Sequence, residues 1–107
     1  MKISEYQEYA TKGVRDRAAL GKPDDAQTMF LEMIGELGEV LNAHKHARVW
    51  PDAGATAEEH LSEELGDLLW YVFAVCTVLG FDVEDIIKNN VNKLNARYGN
   101  VPGIQRP

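Results

Sequence analysis

Several features that define protein classes are scarce in this chain of 107 residues. A single cysteine, Cys76, excludes an intrachain disulfide, so the fold needs no oxidising compartment. Basic residues are in the minority, with 11 Lys and Arg against 17 Asp and Glu. Nucleic-acid binding requires clustered positive charge, which such a composition does not offer. The sequence therefore predicts a cytoplasmic protein that does not bind nucleic acid.

Long apolar runs are also missing, apart from residues 68–79. Twelve residues are too few to cross a bilayer, which takes about 20, and the N-terminal stretch MKISEYQEYA has no apolar core of a signal peptide. The run is therefore interpreted as a core helix, and no membrane segment is expected. Because it is apolar on nearly every side, a chain this small cannot cover it completely. This predicts a homo-oligomer, either a dimer or a tetramer.

The alternation of apolar and polar residues that marks strands is absent, and apolar residues recur three and four positions apart. This spacing predicts four helices, at residues 3–20, 24–48, 56–79 and 82–98. The expected N-caps are Ser4, then Asp24 or Asp25, then Thr56 in a capping box with Glu59, and Asp82. The expected closing glycines are Gly21, Gly80 and Gly99. The predicted fold is an all-α, four-helix bundle-like single domain over residues 1–99, followed by a tail at residues 100–107.

Two pairs of acids at i, i+3 spacing stand out, Glu36 with Glu39 and Glu64 with Asp67. Each pair borders the apolar stripe of its helix, so antiparallel packing would bring the pairs together. Four carboxylates at one place repel one another unless a divalent cation compensates them, and hard oxygen ligands suit Mg²⁺ or Mn²⁺. The alternative is that the acids merely form solvated helix faces, since Glu is a good helix former.

Glycines accompany both acid pairs. Gly38 and Gly66 each stand directly before the second acid of a pair. A glycine inside a helix costs about 1 kcal/mol relative to alanine, so two at matching places indicate close helix approach or room for a ligand.

Three segments together resemble a known family. GELGEV, EELGDLLWY and the later NNVNKLNARYG are similar to the ExxE…ExxD signature and following segment of the MazG-like all-α nucleoside triphosphate pyrophosphohydrolases. The resemblance covers the second to fourth helices. It implies Mg²⁺-dependent hydrolysis of a nucleoside triphosphate between its α and β phosphates, giving the monophosphate and pyrophosphate.

The resemblance also implies roles for individual residues. The implied metal ligands are Glu36, Glu39, Glu64 and Asp67, with Glu39 also catalytic through the attacking water. The implied substrate-binding residues are Lys93, Arg97 and Asn90 on the fourth helix, Tyr71 near the nucleoside, and Lys45. Further stacking candidates are Trp50, Trp70 and His46, although packing in the core or in an oligomer interface is the favoured interpretation of Trp70.

Two questions stay open at this point. The flanks of the motifs single out no base or sugar, although a role in cleaning the nucleotide pool is consistent with them. The alternative function is a non-catalytic helical oligomer that binds a nucleotide, a metal or a protein partner.

Overall fold

The structure, a computed structural model, describes residues 1–49 and 54–99. These residues form four helices and no strand: α1 (Ile3–Ala19), α2 (Ala26–Val49), α3 (Gly54–Val78) and α4 (Val83–Tyr98). The all-α class is therefore confirmed. The predicted tail at residues 100–107 and the stacking candidate Trp50 lie outside the described residues.

Two of the predicted N-caps, Asp25 and Asp82, are confirmed by side-chain hydrogen bonds to the backbone. An Asp25 carboxylate oxygen accepts a hydrogen bond from the Thr28 N–H at 3.0 Å, which starts α2. Asp82 accepts one from the Glu84 N–H at 2.8 Å, which starts α4. Gly80 closes α3 with φ at +77°, a conformation that residues with a Cβ avoid. Gly21 does the same after α1, with φ at +84°.

Two predicted helix starts are wrong in detail. Ser4 is not an N-cap, because α1 already begins at Ile3, whose side chain packs against a buried cluster. Thr56 is not one either, because α3 begins at Gly54 and continues past the expected capping box. The predicted end of α4 at Tyr98 with Gly99 as its cap is confirmed, although Gly99 has a right-handed φ of −48° rather than the left-handed conformation usual for a closing glycine.

Helices α1 and α2 both run antiparallel to α3 and pack on it. Contacts between α2 and α3 pair low numbers with high ones, since Met29 lies with Ala74 and Ala43 lies beside Ala57. Contacts of α1 follow the same rule, with Ala10 against Phe73. The core is thin: among the described residues, Met29 is the one large side chain with no exposure.

The fourth helix does not close a bundle within one chain. It turns away from α3 by 105° and packs chiefly on the N-terminal part of α1.

Among the helices that the structure describes, none alone is long and apolar enough to cross a bilayer, although α3 and α4 reach that length and composition as a bent pair.

One side chain of α1 holds the corner between α3 and α4. The Gln7 amide nitrogen donates a hydrogen bond to the Phe81 carbonyl at 2.8 Å, and its amide oxygen accepts one from the Val83 N–H at 3.0 Å. Its two polar atoms thus satisfy one backbone group on each side of the turn. The direction of α4 depends on this contact.

We expect the replacement Gln7→Met to destabilise the corner. Methionine has a similar length but makes neither hydrogen bond, so the free energy of unfolding should fall by about 1–2 kcal/mol. Urea unfolding measures the loss, and hydrogen exchange of the Val83 amide should become faster. The exposed Gln27→Met is the matched control. Equal exchange rates at Val83 in wild type and variant would contradict the prediction.

Candidate metal site

The antiparallel pairing of α2 and α3 brings acids from both predicted pairs together. Glu36, Glu64 and Asp67 each place one carboxylate oxygen within 4.8 Å of the others. We call these three residues the acidic group. Glu36 and Glu64 are half-buried, whereas Asp67 is exposed, so the group opens to solvent on one side.

The Glu36 carboxylate is under electrostatic stress in this position. Burial raises the pKa of Glu36, and the charges of Asp67 and Glu64 raise it further. Its Oε2 atom is buried and accepts no hydrogen bond from any residue that the structure describes. A buried carboxylate oxygen without a partner is unfavourable unless a cation or a donor binds there.

The acidic group fits a hard divalent cation. It offers oxygen ligands only, from two rigid helices, which suits Mg²⁺ better than a metal that prefers nitrogen or sulfur. Three carboxylates leave coordination positions for water and phosphate oxygens, which is how Mg²⁺ is usually held beside a nucleotide. The orphaned Glu36 oxygen provides an acceptor with no competing protein donor in the described part of the chain.

The fourth predicted ligand, Glu39, lies outside this group. It is exposed one turn further along α2, where it lines a cavity of about 250 Å³ together with Asn42, His46 and His60. The His60 ring lies 3.8 Å from the Glu64 carboxylate, so this cavity borders the acidic group. Glu39 thus stands at the edge of the site, and its roles as ligand and catalytic residue stay predictions.

Tyr71 belongs to a second cluster, which borders the acidic group on the other side. The Arg17 guanidinium lies 5.8 Å from the centres of both the Tyr71 and Trp70 rings and donates a hydrogen bond to Glu32 at 2.7 Å. Burial raises the pKa of Tyr71, and the neighbouring Glu32 carboxylate adds to the effect. The Tyr71 hydroxyl is therefore neutral at physiological pH.

The contribution of Arg17 was not expected from the sequence. Its partner Glu32 comes from another helix, and no local spacing links the two residues. Trp70 is a packing residue in this cluster, because it meets Tyr71 edge to face at 5.1 Å and contacts both buried clusters.

A pH dependence follows from the ion pair of Arg17 and Glu32. Burial alone would raise the pKa of Glu32, but the hydrogen bonds from Arg17 outweigh it and lower this pKa below its usual 4.5. A carboxyl group whose pKa is lower in the folded than in the unfolded state stabilises the fold at pH values above its unfolded-state pKa. This stabilisation is lost as the pH falls through its folded-state pKa. We expect Glu32→Gln to cost about 1 kcal/mol at pH 7 and to cost progressively less below about pH 4.5.

Urea unfolding of the wild type and of Glu32→Gln at several pH values measures this cost. Glu8→Gln, which removes an exposed charge from α1, is the control and should show no such pH dependence. A cost for Glu32→Gln that stays constant from neutral to strongly acid pH would contradict the assignment.

The remaining predicted substrate-binding residues are exposed and do not belong to the acidic group. Lys45 is exposed and points about 120° round α2 from Glu39. Asn90, Lys93 and Arg97 are exposed on α4. Within residues 1–49 and 54–99, the ion pairs join Lys12 to Asp16 and Arg17 to Glu32, so neither involves these residues. Their phosphate contacts stay predictions.

Comparison with known proteins adds a family to this geometry. Residues 24–102 match the model described as MazG nucleotide pyrophosphohydrolase domain. The Gene 37 protein of Mycobacterium phage L5 is 34% identical over 67 residues, which cover 61% of this chain and 59% of that protein. The uncharacterized protein YvdC of Bacillus subtilis is 29% identical over 73 residues, which cover 64% of this chain and 69% of that protein. No solved structure matches the chain.

The matched segment contains all of α2, α3 and α4, and with them every member of the acidic group. The resemblance noted in the sequence is therefore confirmed over most of the chain. Because the family model matches residues 24–102, well over half of the chain, the chain belongs to the MazG nucleotide pyrophosphohydrolase domain family.

Proposed function

We propose that the protein is a Mg²⁺-dependent pyrophosphohydrolase that cleaves a nucleoside triphosphate between its α and β phosphates. One water molecule adds to the α phosphorus, and the products are the monophosphate and pyrophosphate. The observation that carries this proposal is the meeting of Glu36, Glu64 and Asp67 on two helices of the matched segment. Mn²⁺ would substitute for Mg²⁺, because both favour oxygen ligands.

In this proposal the acidic group holds the cation and fixes its position. Bound Mg²⁺ neutralises charge on the phosphate oxygens and acidifies water. Glu39, exposed at the edge of the site, completes the ligand set and orients or deprotonates the attacking water. Its exposure allows its side chain to turn towards the acidic group without repacking the core.

The substrate would be held by residues of different character. Tyr71 faces the nucleoside with a neutral hydroxyl and a ring that Arg17 and Trp70 keep in place. Lys93, Arg97 and Asn90 would contact phosphate oxygens, as would Lys45. We further propose that the enzyme works as a homo-oligomer in the cytoplasm and removes unwanted nucleotides from the pool.

Product analysis tests the proposed reaction. The protein is incubated with Mg²⁺ and a panel of canonical and modified nucleoside triphosphates, and the products are separated by ion-exchange chromatography. We expect monophosphate and pyrophosphate in equal amounts, with turnover abolished by a chelator and restored by Mg²⁺ or Mn²⁺. Release of inorganic phosphate and a diphosphate would contradict cleavage at the α phosphorus. Absence of turnover on every nucleotide would favour the non-catalytic binding protein.

A further inference from the structure

Three polar side chains from three different helices meet beside the acidic group. The Nη2 atom of Arg17, on α1, donates hydrogen bonds to both carboxylate oxygens of Glu32, on α2, at 2.7 Å to Oε1. Tyr71, on α3, completes the set: burial raises its pKa, and a hydrogen bond to the Glu32 carboxylate raises this pKa further. We call Arg17, Glu32 and Tyr71 the Arg17 cluster.

The Tyr71 hydroxyl has partners for both its proton and its oxygen within the Arg17 cluster. Burial would raise the pKa of Glu32, but the hydrogen bonds from Arg17 and Tyr71 lower it, so Glu32 is ionised and can only accept. A guanidinium can only donate, so the hydrogen bond between Arg17 and Tyr71 ends on the hydroxyl oxygen. The ring is then the part of Tyr71 that is available to a substrate.

The Arg17 cluster lies one helical turn from the acidic group. Glu32 comes four residues before Glu36 on α2, and Tyr71 comes four residues after Asp67 on α3. Because the two helices are antiparallel, both steps lead in the same direction, about 6 Å along the helix pair. After burial and Glu32, the charge of Glu36 also raises the pKa of Tyr71, which agrees with this short separation. The cluster therefore forms one wall of the site.

Stability alone does not account for this arrangement. The side chains of Arg17 and Glu32 are 18% and 31% exposed. Ion pairs in such positions contribute little to stability, because the loss of hydration offsets most of their attraction. Two apolar side chains of similar size would cover Tyr71 equally well. They would not hold its hydroxyl, and with it the ring, in one orientation.

We propose that Arg17 and Glu32 are positioning residues that fix the Tyr71 ring against the nucleoside of the substrate. The inference rests on the proposed function, in which Tyr71 faces the nucleoside. Arg17 holds Glu32, and Glu32 holds the Tyr71 hydroxyl, so the ring is oriented before the substrate arrives. A preoriented side chain favours binding because it loses no rotamer freedom on contact. Arg17 also cancels the Glu32 charge, which would otherwise repel the phosphates.

A double variant separates this role from a purely structural one. Arg17→Met together with Glu32→Met replaces the ion pair by apolar side chains, so the fold is expected to stay stable. The Tyr71 hydroxyl loses both partners. We expect KM for the nucleoside triphosphate that the wild type turns over fastest to rise by about 3- to 10-fold, the range that immobilising one side chain spans. The value of kcat should stay within about twofold of the wild type, because the acidic group is untouched.

Inorganic triphosphate shows on which part of the substrate the Arg17 cluster acts. It has the three phosphates without a nucleoside, so as an inhibitor it competes for the metal and phosphate contacts alone. Its inhibition constant should be the same in the double variant as in the wild type. Lys12→Met breaks the exposed ion pair with Asp16 on the same helix. It is the matched control and should change neither KM nor the inhibition constant.

Tyr71→Phe tests whether the ion pair acts through the tyrosine hydroxyl. This variant keeps the ring and the ion pair but removes the hydroxyl, so by itself it should raise KM about as much as the double variant does. Added to the double variant, it should raise KM no further, because the contact that it removes is already lost.

Each outcome decides for or against the inference. A wild-type KM in the double variant overturns it, and so does an inhibition constant of triphosphate that rises together with KM; both leave the proposed function standing. A further rise of KM when Tyr71→Phe is added overturns it as well. If the double variant does not fold, an unchanged KM in Tyr71→Phe alone has the same consequence. A wild-type protein without turnover on any nucleoside triphosphate overturns the proposed function and the inference with it.

Discussion

Glu36→Gln is expected to lower kcat/KM by about 100-fold or more, because a metal ligand supplies several kcal/mol of transition-state stabilisation and each 1.4 kcal/mol is a factor of ten. Glutamine keeps the shape of the side chain and removes its charge. The same variant should lose most of the thermal stabilisation that Mg²⁺ gives the wild type, since a ligand that binds only the folded state stabilises it by an amount that rises with the logarithm of its affinity.

The metal-free variant is expected to gain stability while it loses activity. Burial and the neighbouring acids raise the pKa of Glu36, and a raised carboxyl pKa means that stability is lost as the pH rises through that value. A neutral side chain removes this loss at neutral pH. Glu63→Gln, exposed on α3 directly beside Glu64, is the matched control and should change neither property.

Three measurements check this prediction: turnover with Mg²⁺, the shift of the unfolding midpoint on adding Mg²⁺, and urea unfolding in a chelator. Loss of activity together with loss of metal-free stability would instead mean that Glu36 is a structural residue.

Gly13→Ala is expected to destabilise the protein by about 1–2 kcal/mol, the net of overpacking and of the helix propensity that alanine adds. A Cβ at Gly13 would lie 2.8 Å from the Trp70 ring, which is closer than two carbon atoms approach without moving. The ring cannot shift freely because Tyr71 and the Arg17 guanidinium pack against it. The substitution is therefore also expected to disturb the packing of Trp70 against Tyr71 and Arg17.

Gly35→Ala supplies the matched control, because a Cβ at Gly35 meets nothing within 4 Å in the described structure. Here only the helix propensity counts, so a gain of up to about 1 kcal/mol is expected. Urea unfolding at one fixed protein concentration compares the two, since oligomerisation makes stability concentration-dependent. Two variants that change stability with the same sign would contradict the close contact between α1 and Trp70.

The sequence predicted the parts of the site that depend on local spacing. The acids at i, i+3 on amphipathic helices implied that α2 and α3 would bring both pairs together, and three of the four acids do meet, while Glu39 lies outside their group. The caps at Asp25 and Asp82 followed from side-chain chemistry. Ser4 failed as a cap because packing of Ile3 against the buried cluster extends the helix towards the N-terminus. Capping preferences alone favour a start of α1 at Ser4, whereas the tertiary contact of Ile3 favours the observed earlier start.

The features that the sequence did not predict depend on contacts between distant residues. Gly38 and Gly66 were expected to allow close helix approach or ligand room, and the open space around both excludes close approach within the described structure. The close contact occurs instead at Gly13, a position that no motif marks. The pairing of Arg17 with Glu32 and the direction of α4 likewise arise only when α1 packs on α3.

Because the side-chain amide of Gln7 bonds the backbone on both sides of the turn before α4, the orientation of the whole helix depends on this one amide group. The 16 residues of α4 give an arm of about 24 Å, so a rotation of 10° at the pivot moves its far end by about 4 Å. That displacement is larger than the difference between a bound and a broken hydrogen bond. Small changes in structure at the end of α3, far from the acids, would therefore change the position of the C-terminal end of α4, where Arg97 lies.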